Sequence, residues 1–256
     1  MPDLSSCRVG NVFLKLAQNK DELEKAQILR QFVFFEETKG VTEPSGKIDS
    51  DEFDEFCEHL LVVDDTDTND QKVVGTYRLL KRTNNNQVKK FYTETEFDIS
   101  KLVDSDYNLL ELGRSCIHPD YRDGKTIQLL WKGIGIFIAH HKINYLFGCG
   151  SFPGNKPEEH QVGLSYLYHY HSAPDNVAPV ARAELAGKFT LIEKEALDKK
   201  QGFMSLPALL KGYLRAGCEI GKGCIIDNFC ETTDVCILLD TTHISKRYSD
   251  HFVKPA

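Results

Sequence analysis

Between Leu109 and Gly133 the chain reads LLELGRSCIHPDYRDGKTIQLLWKG, a stretch unusually rich in groups that can do chemistry. Glu111 is followed three residues later by Arg114, and then comes the run Arg122-Asp123-Gly124-Lys125-Thr126. A carboxylate such as Glu111 can take a proton from an amine, or it can hold an arginine as an ion pair. Three residues apart in an ideal strand, Glu111 and Arg114 point to opposite faces, and a bulge near Gly113 would change that. The basic run suits a phosphate: first-turn N–H groups of a helix lack intrahelical partners, the helix dipole favours an anion there, and Gly124 permits close backbone approach. Basic and glycine residues also begin many helices that bind nothing, so the run alone reads equally as a solvated turn. It is neither a Walker loop nor a G-x-G-x-x-G fingerprint, and GCEIGKG at residues 217–223 is one residue short of a Walker loop and lacks the following Ser or Thr.

Positioning these groups requires a strand, a turn and a helix. YNLLELGRSCI reads as a strand ended by His118-Pro119. A helix follows from Thr126 to His141, with Ile127, Leu130, Trp131, Ile134 and Ile138 as its apolar stripe. NYLFGCG is then a buried strand, so the middle of the chain is a βαβ unit with parallel strands. Upstream, NKDELEKAQILRQFVFFEE predicts a helix with Leu23, Ala26, Gln27 and Arg30 on one face and Asp21 and Glu22 at its N-terminal end. HLLVVDD and KVVGTYRLL read as two strands joined by the acidic turn DDTDTNDQ, and FYTETEFDIS as another extended segment. Downstream come a short helix in HQVGLSYLYHYH, a loop over 173–181, a helix in PALLKGYLRAG closed by Gly217, and a closing hairpin of GCIIDNFC and DVCILLD through ETT. No repeat or linker interrupts the pattern. The expectation is one domain over 1–256 of the α/β (α+β) class, a mixed central sheet flanked by helices.

The net charge of -7 over 256 residues argues against a broad nucleic-acid surface and makes any anion site local. No run of about 18 apolar residues could span a membrane, and MPDLSSCRVG lacks the features of a signal peptide, which points to the cytoplasm. The eight cysteines are then expected to be reduced and mostly buried. Cys218, Cys224, Cys230 and Cys236 recur at a regular interval, yet no C-x-x-C pair supports zinc. Asp65, Asp67 and Asn69 alternate as in a calcium loop, but Asp70 stands where a glycine is needed and Thr76 where a glutamate is needed, so a solvated hairpin tip is expected. His169, His171 and the pair His140-His141 lack a third ligand of suitable spacing, and no metal is expected.

Taken in order, the blocks LRQFVFFEE, DEFDEFCEHLLVVD, VVGTYRLL, LELGRSCIHPDYR, LLWKGI, LFGCGSFPG, LPALLKGYLRAGCEIGKGCIID and TTDVCILL resemble the ornithine-lipid N-acyltransferases of the GNAT superfamily, also called hemolysin-like. The N-terminal blocks are similar as well to the acyl-homoserine-lactone synthases, while the extended GYLRAGCEIGKG favours the lipid branch. The resemblance implies a GNAT-like fold with an acceptor-side part over about 10–105 and an acyl-donor core over about 106–245. It implies transfer of a 3-hydroxy fatty acyl group from acyl carrier protein to the α-amine of ornithine, forming lyso-ornithine lipid. The donor group is the 4'-phosphopantetheine of the carrier, with no tightly bound cofactor; acyl-CoA, another amine, and a noncatalytic module that binds acyl thioesters stay open.

Carried over residue by residue, the resemblance makes Arg122, Asp123, Gly124, Lys125 and Thr126 the phosphopantetheine loop, although the family pattern R-x-x-G-x-G/A keeps only one glycine here. Glu111 and Arg114 match its E-x-x-R element, with Glu111 as base or amine-orienting carboxylate and a structural pair with Arg114 as the alternative. The backbone N–H groups of Cys116 and Ile117 would stabilise the oxyanion where the first strand of the βαβ unit splays from its neighbour. Tyr166, or Tyr168, would protonate the departing thiolate. Arg30, Glu36, Glu37, Asp51 and Arg78 match the N-terminal blocks and suit an amino acid with two ammonium groups and one carboxylate. A long-chain product would partition into lipid, which gives the protein a reason to work at the inner face of the membrane.

Overall fold

The computed structural model describes residues 4, 6–66, 71–83 and 90–244; Asp67, Asn69 and Asp70 of the calcium-like turn lie outside them. The first elements are β1 (Arg8–Val9), β2 (Val12–Leu16), α1 (Lys20–Gln31), β3 (Glu58–Asp64) and β4 (Lys72–Arg82). Next come β5 (Phe97–Asp98), α2 (Ser100–Val103), β6 (Leu109–Ile117), α3 (Lys125–His141) and β7 (Tyr145–Pro153). The chain closes with α4 (Gln161–Tyr170), β8 (Val180–Ala181), α5 (Lys199–Met204), α6 (Ala208–Ala216), β9 (Glu219–Ile220), β10 (Ile225–Asp227) and β11 (Thr232–Asp240). Strand pairing is mostly antiparallel, with β6 and β7 parallel as the strand-helix-strand pattern requires. The result is a mixed α/β protein. Among the described residues, no helix is long and apolar enough to cross a membrane.

Among the described residues two compact units interleave along the chain, one holding those up to Lys81 with Leu112–Lys142, the other those of Arg82–Glu111 with 143–244. In the first, β1, β2, β3 and β4 form an antiparallel series. Asn19 caps α1 by accepting the Glu22 N–H at 2.9 Å. The helix lays Ala26 and Leu29 against Leu61, Val63, Val73 and Cys116. Alternation along β3 sends Leu60 the other way, toward α3. There Gly133 allows close approach: a Cβ at that position would lie 2.5 Å from Leu14 Cδ2 and 3.0 Å from Leu60 Cδ2. Beyond Gln31 the helix widens into a π turn over Phe32–Glu36, then tightens through Glu37–Lys39 and stops at Gly40 with φ +80°.

In the second unit β11 lies antiparallel to β7 from Thr232↔Pro153 to Asp240↔Tyr145, with β10 and β9 paired to β11. The first residues of β6 pair in parallel with β7, and the ladder ends at Glu111↔Phe147. The expected extended segment over FYTETEFDIS is corrected: Tyr92–Thr95 form a 3-10 turn, and Phe97–Asp98 alone are strand. The cause is carboxylate capping. Glu94 accepts the Phe91 N–H at 2.6 Å, and Glu111 accepts the N–H groups of Tyr92 at 3.1 Å and Thr93 at 2.6 Å, so these amides need no strand partner. The closing hairpin also turns earlier than ETT, over 228–231, because the Asp227 carboxylate takes the N–H groups of Phe229 and Cys230. The helix in PALLKGYLRAG ends at Gly217, φ +107°, as its sequence requires. All eight cysteines are free; Cys218, Cys224 and Cys236 are buried and Cys230 half-buried.

The close approach of α3 gives a direct test. Gly133→Val adds branched volume where the first carbon already meets Leu14 and Leu60, and should destabilise by about 1–3 kcal/mol. In urea unfolding the midpoint should fall with an unchanged slope.

Candidate active site

The first unit buries a network of arginines and aspartates. Arg30, 1% exposed, sends two guanidinium nitrogens to Asp54 at 2.9 and 3.1 Å and its Nε to Asp49 at 2.7 Å. Arg78 on β4 donates to Asp51 at 2.5 Å and to Asp54 at 3.0 Å. Gln27 adds a donor to Asp54 at 2.9 Å, one helical turn before Arg30. Arg114 closes the set with Asp49 at 3.2 Å and Asp51 at 3.5 Å. Its φ of +49° puts Arg114, next to Gly113, in the left-handed region within β6. Burial works to raise the Asp54 pKa, but the hydrogen bonds and charge of Arg30, with Gln27 and Arg78, more than offset it and hold the carboxyl well below its ordinary range. Arg78 is likewise held protonated, its burial outweighed by Asp51.

Thus Arg30, Asp51 and Arg78, expected from the N-terminal blocks, do come together, and Arg114 joins them. Asp49, Asp54 and Gln27 were not anticipated. Asp49 and Asp54 flank Asp51 in IDSDEFD, and that density of acids beside a strand was the available signal. Glu36 lies elsewhere, its carboxylate held by the Ser45 N–H at 3.0 Å and the Ser45 hydroxyl, which lower its pKa.

The junction between β6 and α3 is a built turn. Arg122 forks onto both oxygens of Glu37 at 2.7 Å and donates its Nε to the Ile117 carbonyl at 3.0 Å. Asp123 accepts the Lys125 N–H at 3.0 Å, and its carboxylate also lies 3.1 Å from the Lys125 ammonium. Gly124, φ +94°, supplies the left-handed residue before α3, and Thr126 is buried. Glu37 therefore belongs with the loop, as the partner of Arg122. The Cys116 side chain is buried among core residues, and that burial pushes its thiol up to about 12, so it is no nucleophile at neutral pH.

In the second unit Glu111, 4% exposed, receives the Tyr92 and Thr93 amides described above. The Tyr92 hydroxyl donates to Glu96 at 2.8 Å, and the Cys149 thiol on β7 donates to the other Glu96 oxygen at 2.9 Å. Glu96, Asp227 and Asp234 bring one carboxylate oxygen each to within 4.8 Å of one another. Burial first, then the charges of Asp234 and Asp227, push Glu96 up to about 7 against the hydrogen bonds of Cys149 and Tyr92. Nothing in FYTETEF singles out Glu96. Tyr166 is buried, with its hydroxyl 3.2 Å from His171 Nε2, and burial raises its pKa. Tyr168 is exposed. His169 Nε2 lies 2.7 Å from the Ile192 carbonyl oxygen.

The acetyltransferase (GNAT) domain family matches residues 29–132, which span the end of α1, the acidic segment, β6 and the first half of α3. This is an acyltransferase of the GNAT class. Across 252 residues the chain is 40% identical to the L-ornithine N(alpha)-acyltransferase of Rhizobium meliloti (strain 1021), covering 96% of this chain and 85% of that one. It is 40% identical over 252 residues to the Brucella abortus (strain 2308) protein of the same name, with 96% and 90% covered. It is 36% identical over 246 residues to that of Rhodobacter capsulatus, with 94% of each covered. The chain belongs to the L-ornithine N(alpha)-acyltransferase family. In fold it is similar to FeeM, an N-acyl amino acid synthase from uncultured soil microbes, with TM-score 0.50, 8% identity and 91% and 93% of the two chains covered. TofI, solved in a ternary complex with an inhibitor and MTA, gives 0.51 at 12% identity, with 95% and 98% covered.

Asp54 should dominate the stability of the first unit. Asp54→Asn removes the charge that two buried guanidinium groups share, leaving Arg30 to Asp49 and Arg78 to Asp51, and should cost about 3–5 kcal/mol at pH 7. Because the Asp54 carboxyl is depressed, its contribution is present above the ordinary value of 3.8 and is lost as pH falls toward the folded value. The wild type's advantage over D54N in urea unfolding should therefore shrink below about pH 4.

Proposed function

We propose that this protein transfers a 3-hydroxy fatty acyl group from the phosphopantetheine of acyl carrier protein to the α-amine of ornithine, forming lyso-ornithine lipid. The observation that carries the reading is the near full-length kinship with proteins named for that acceptor, at 36–40% identity. It is supported in the first unit by the 122–126 turn before α3, whose helix dipole and cations suit a phosphate. Arg122 is latched to Glu37, so a phosphate there competes for a guanidinium already engaged. The N–H groups of Cys116 and Ile117 are assigned to the oxyanion, and Tyr166 to the departing thiolate. Asp51 and Arg114, the more exposed edge of the buried network, offer an acceptor and a donor to an amino acid. The acylated product is an amphiphile, and we assign the protein to the cytoplasmic face of the membrane on that ground.

The test offers purified protein matched acyl-carrier and acyl-CoA thioesters against an amino-acid panel, with products read by mass spectrometry. Ornithine acylation from the carrier is the expected result; equal use of other amines would sink the acceptor assignment, and a preference for acyl-CoA would sink the donor assignment. Lys125→Gln should raise KM for the acyl carrier about tenfold, the loss of one charge-assisted contact of about 1.4 kcal/mol, with kcat little changed.

A further inference from the structure

The chain carries a net charge of -7, yet residues 188–215 hold six lysines and arginines against three acids. The whole stretch belongs to the second unit. There α5 lies against α4, and Gly202 permits the approach: a Cβ at that position would lie 2.7 Å from the Tyr166 Cβ and 2.8 Å from its Cδ2. Tyr170, Tyr166 and Phe203 then form a continuous row of rings, with centroids 5.4 Å apart for the first pair and 6.2 Å for the second. Cations gather at both ends of the row. The ammonium groups of Lys194 and Lys199 stand 5.3 and 4.6 Å from the centre of the Tyr170 ring. The Lys211 ammonium and the Arg215 guanidinium, one turn apart on α6, stand 5.9 and 5.5 Å from the centre of Phe203. Ring faces attract each cation weakly at such sites, which eases the crowding of like charges without neutralising it. Nor do carboxylates neutralise it. Asp198 turns back to cap α5, accepting the N–H groups of Lys200 at 2.8 Å and Gln201 at 3.0 Å, and Glu193 and Glu195 are exposed on the segment before it. Among the described residues, Lys194, Lys199, Lys200 and Lys211 make no ion pair.

An apolar group stands among these charges. Met204 is 62% exposed, four residues after Lys200 and so on the same side of α5. Its carbonyl accepts from the Lys211 ammonium at 2.8 Å, which ties it to the cations of α6. Lys194, Lys199, Lys200 and Arg215 are exposed and Lys211 is half-buried, so charge and thioether share one open face. The cations by themselves would suit any anionic partner. Protein interfaces, however, are depleted in lysine, whereas lysines around an exposed apolar side chain suit a lipid surface: the apolar group enters the acyl boundary while the long cationic chains reach the phosphates.

Resting on the assignment of the protein to the cytoplasmic face of the membrane, we propose that the face formed by α5 and α6 docks onto anionic phospholipid. Met204 enters the boundary of the acyl region, and Lys194, Lys199, Lys200, Lys211 and Arg215 engage lipid phosphates. The docking keeps the protein at the phase into which its amphiphilic product partitions. It also explains why a chain of negative net charge concentrates cations on one short stretch, since a negatively charged membrane would otherwise repel it.

The test sediments the whole protein with vesicles of phosphatidylcholine alone and of phosphatidylcholine mixed with phosphatidylglycerol. Binding should require the anionic lipid and weaken as salt is raised. Each lysine at such a surface contributes about fivefold in affinity, so Lys199→Gln combined with Lys200→Gln should lower it about 25-fold. Met204→Ser should lower it about tenfold while keeping the salt dependence. Lys156→Gln, which removes a cation already paired with Glu159, should leave binding as it is. All these side chains are exposed, so melting temperatures close to that of the wild type check that the variants are folded. Anionic-vesicle binding that survives both K199Q/K200Q and M204S overturns the proposal and leaves the membrane assignment in place. Failure of the wild type to bind any vesicle overturns both. A K199Q/K200Q protein that binds vesicles normally but shows a raised KM for the acyl carrier would make this face a dock for an acidic protein, which also overturns the proposal. Should the wild type bind vesicles as expected but acylate an amine other than ornithine, the acceptor reading fails and the docking face stands.

Discussion

Asp54 must be ionised inside the protein, and the first unit is arranged around that requirement. Taking a carboxylate out of water costs several kcal/mol, recovered only if donors converge on it with good geometry. Two arginines and a glutamine do so, from α1 and from β4. Since Gln27 and Arg30 are spaced to face the same carboxylate, the rotation of α1 about its axis is set by the acid as well as by the apolar contacts of Ala26 and Leu29. The network adds arrangement more than net stability, because an apolar core of equal volume would be at least as favourable.

A second carboxylate organises the other unit in a different way. Glu111 receives two backbone amides and so turns the chain at Tyr92. That turn delivers Glu96 to β7. The second unit thus holds two buried glutamates with opposed tasks: Glu111 supplies negative charge to amides, while Glu96 is left among acids where its proton is held more tightly than usual.

Periodicity made most of the frame readable. Alternating apolar residues marked β3, β4, β6, β7 and β11, and the stripe from Ile127 to Ile138 marked α3. The 91–98 segment was misread because alternation in FYTETEF imitates a strand, while the carboxylate that bends it, Glu111, stands far along the chain. Similarly, Arg30, Asp51 and Arg78 could be named as polar residues of one region, but not as members of one network about a common carboxylate. Asp54 becomes the centre only when a helix, a loop and a strand meet. Glu96 left no trace in the sequence at all, since its distinctive property is the company of Cys149, Asp227 and Asp234 from three other stretches. Local elements follow from local pattern; charge environments follow from tertiary neighbours.

Arg114 has a consequence for the order of assembly. A residue with a β-carbon at φ +49° is held in the left-handed region at a cost of roughly 1–2 kcal/mol. Its guanidinium is met by Asp49 and by Asp51, the latter 63 residues earlier in the chain. Local preference in β6 works against that backbone conformation, so the strand has no reason to adopt its final course until the acidic segment has docked. Residues 112–117 should therefore be late to settle during folding, waiting on a closure of long sequence separation, and hydrogen exchange during refolding would show these amides protected after those of β3 and β4.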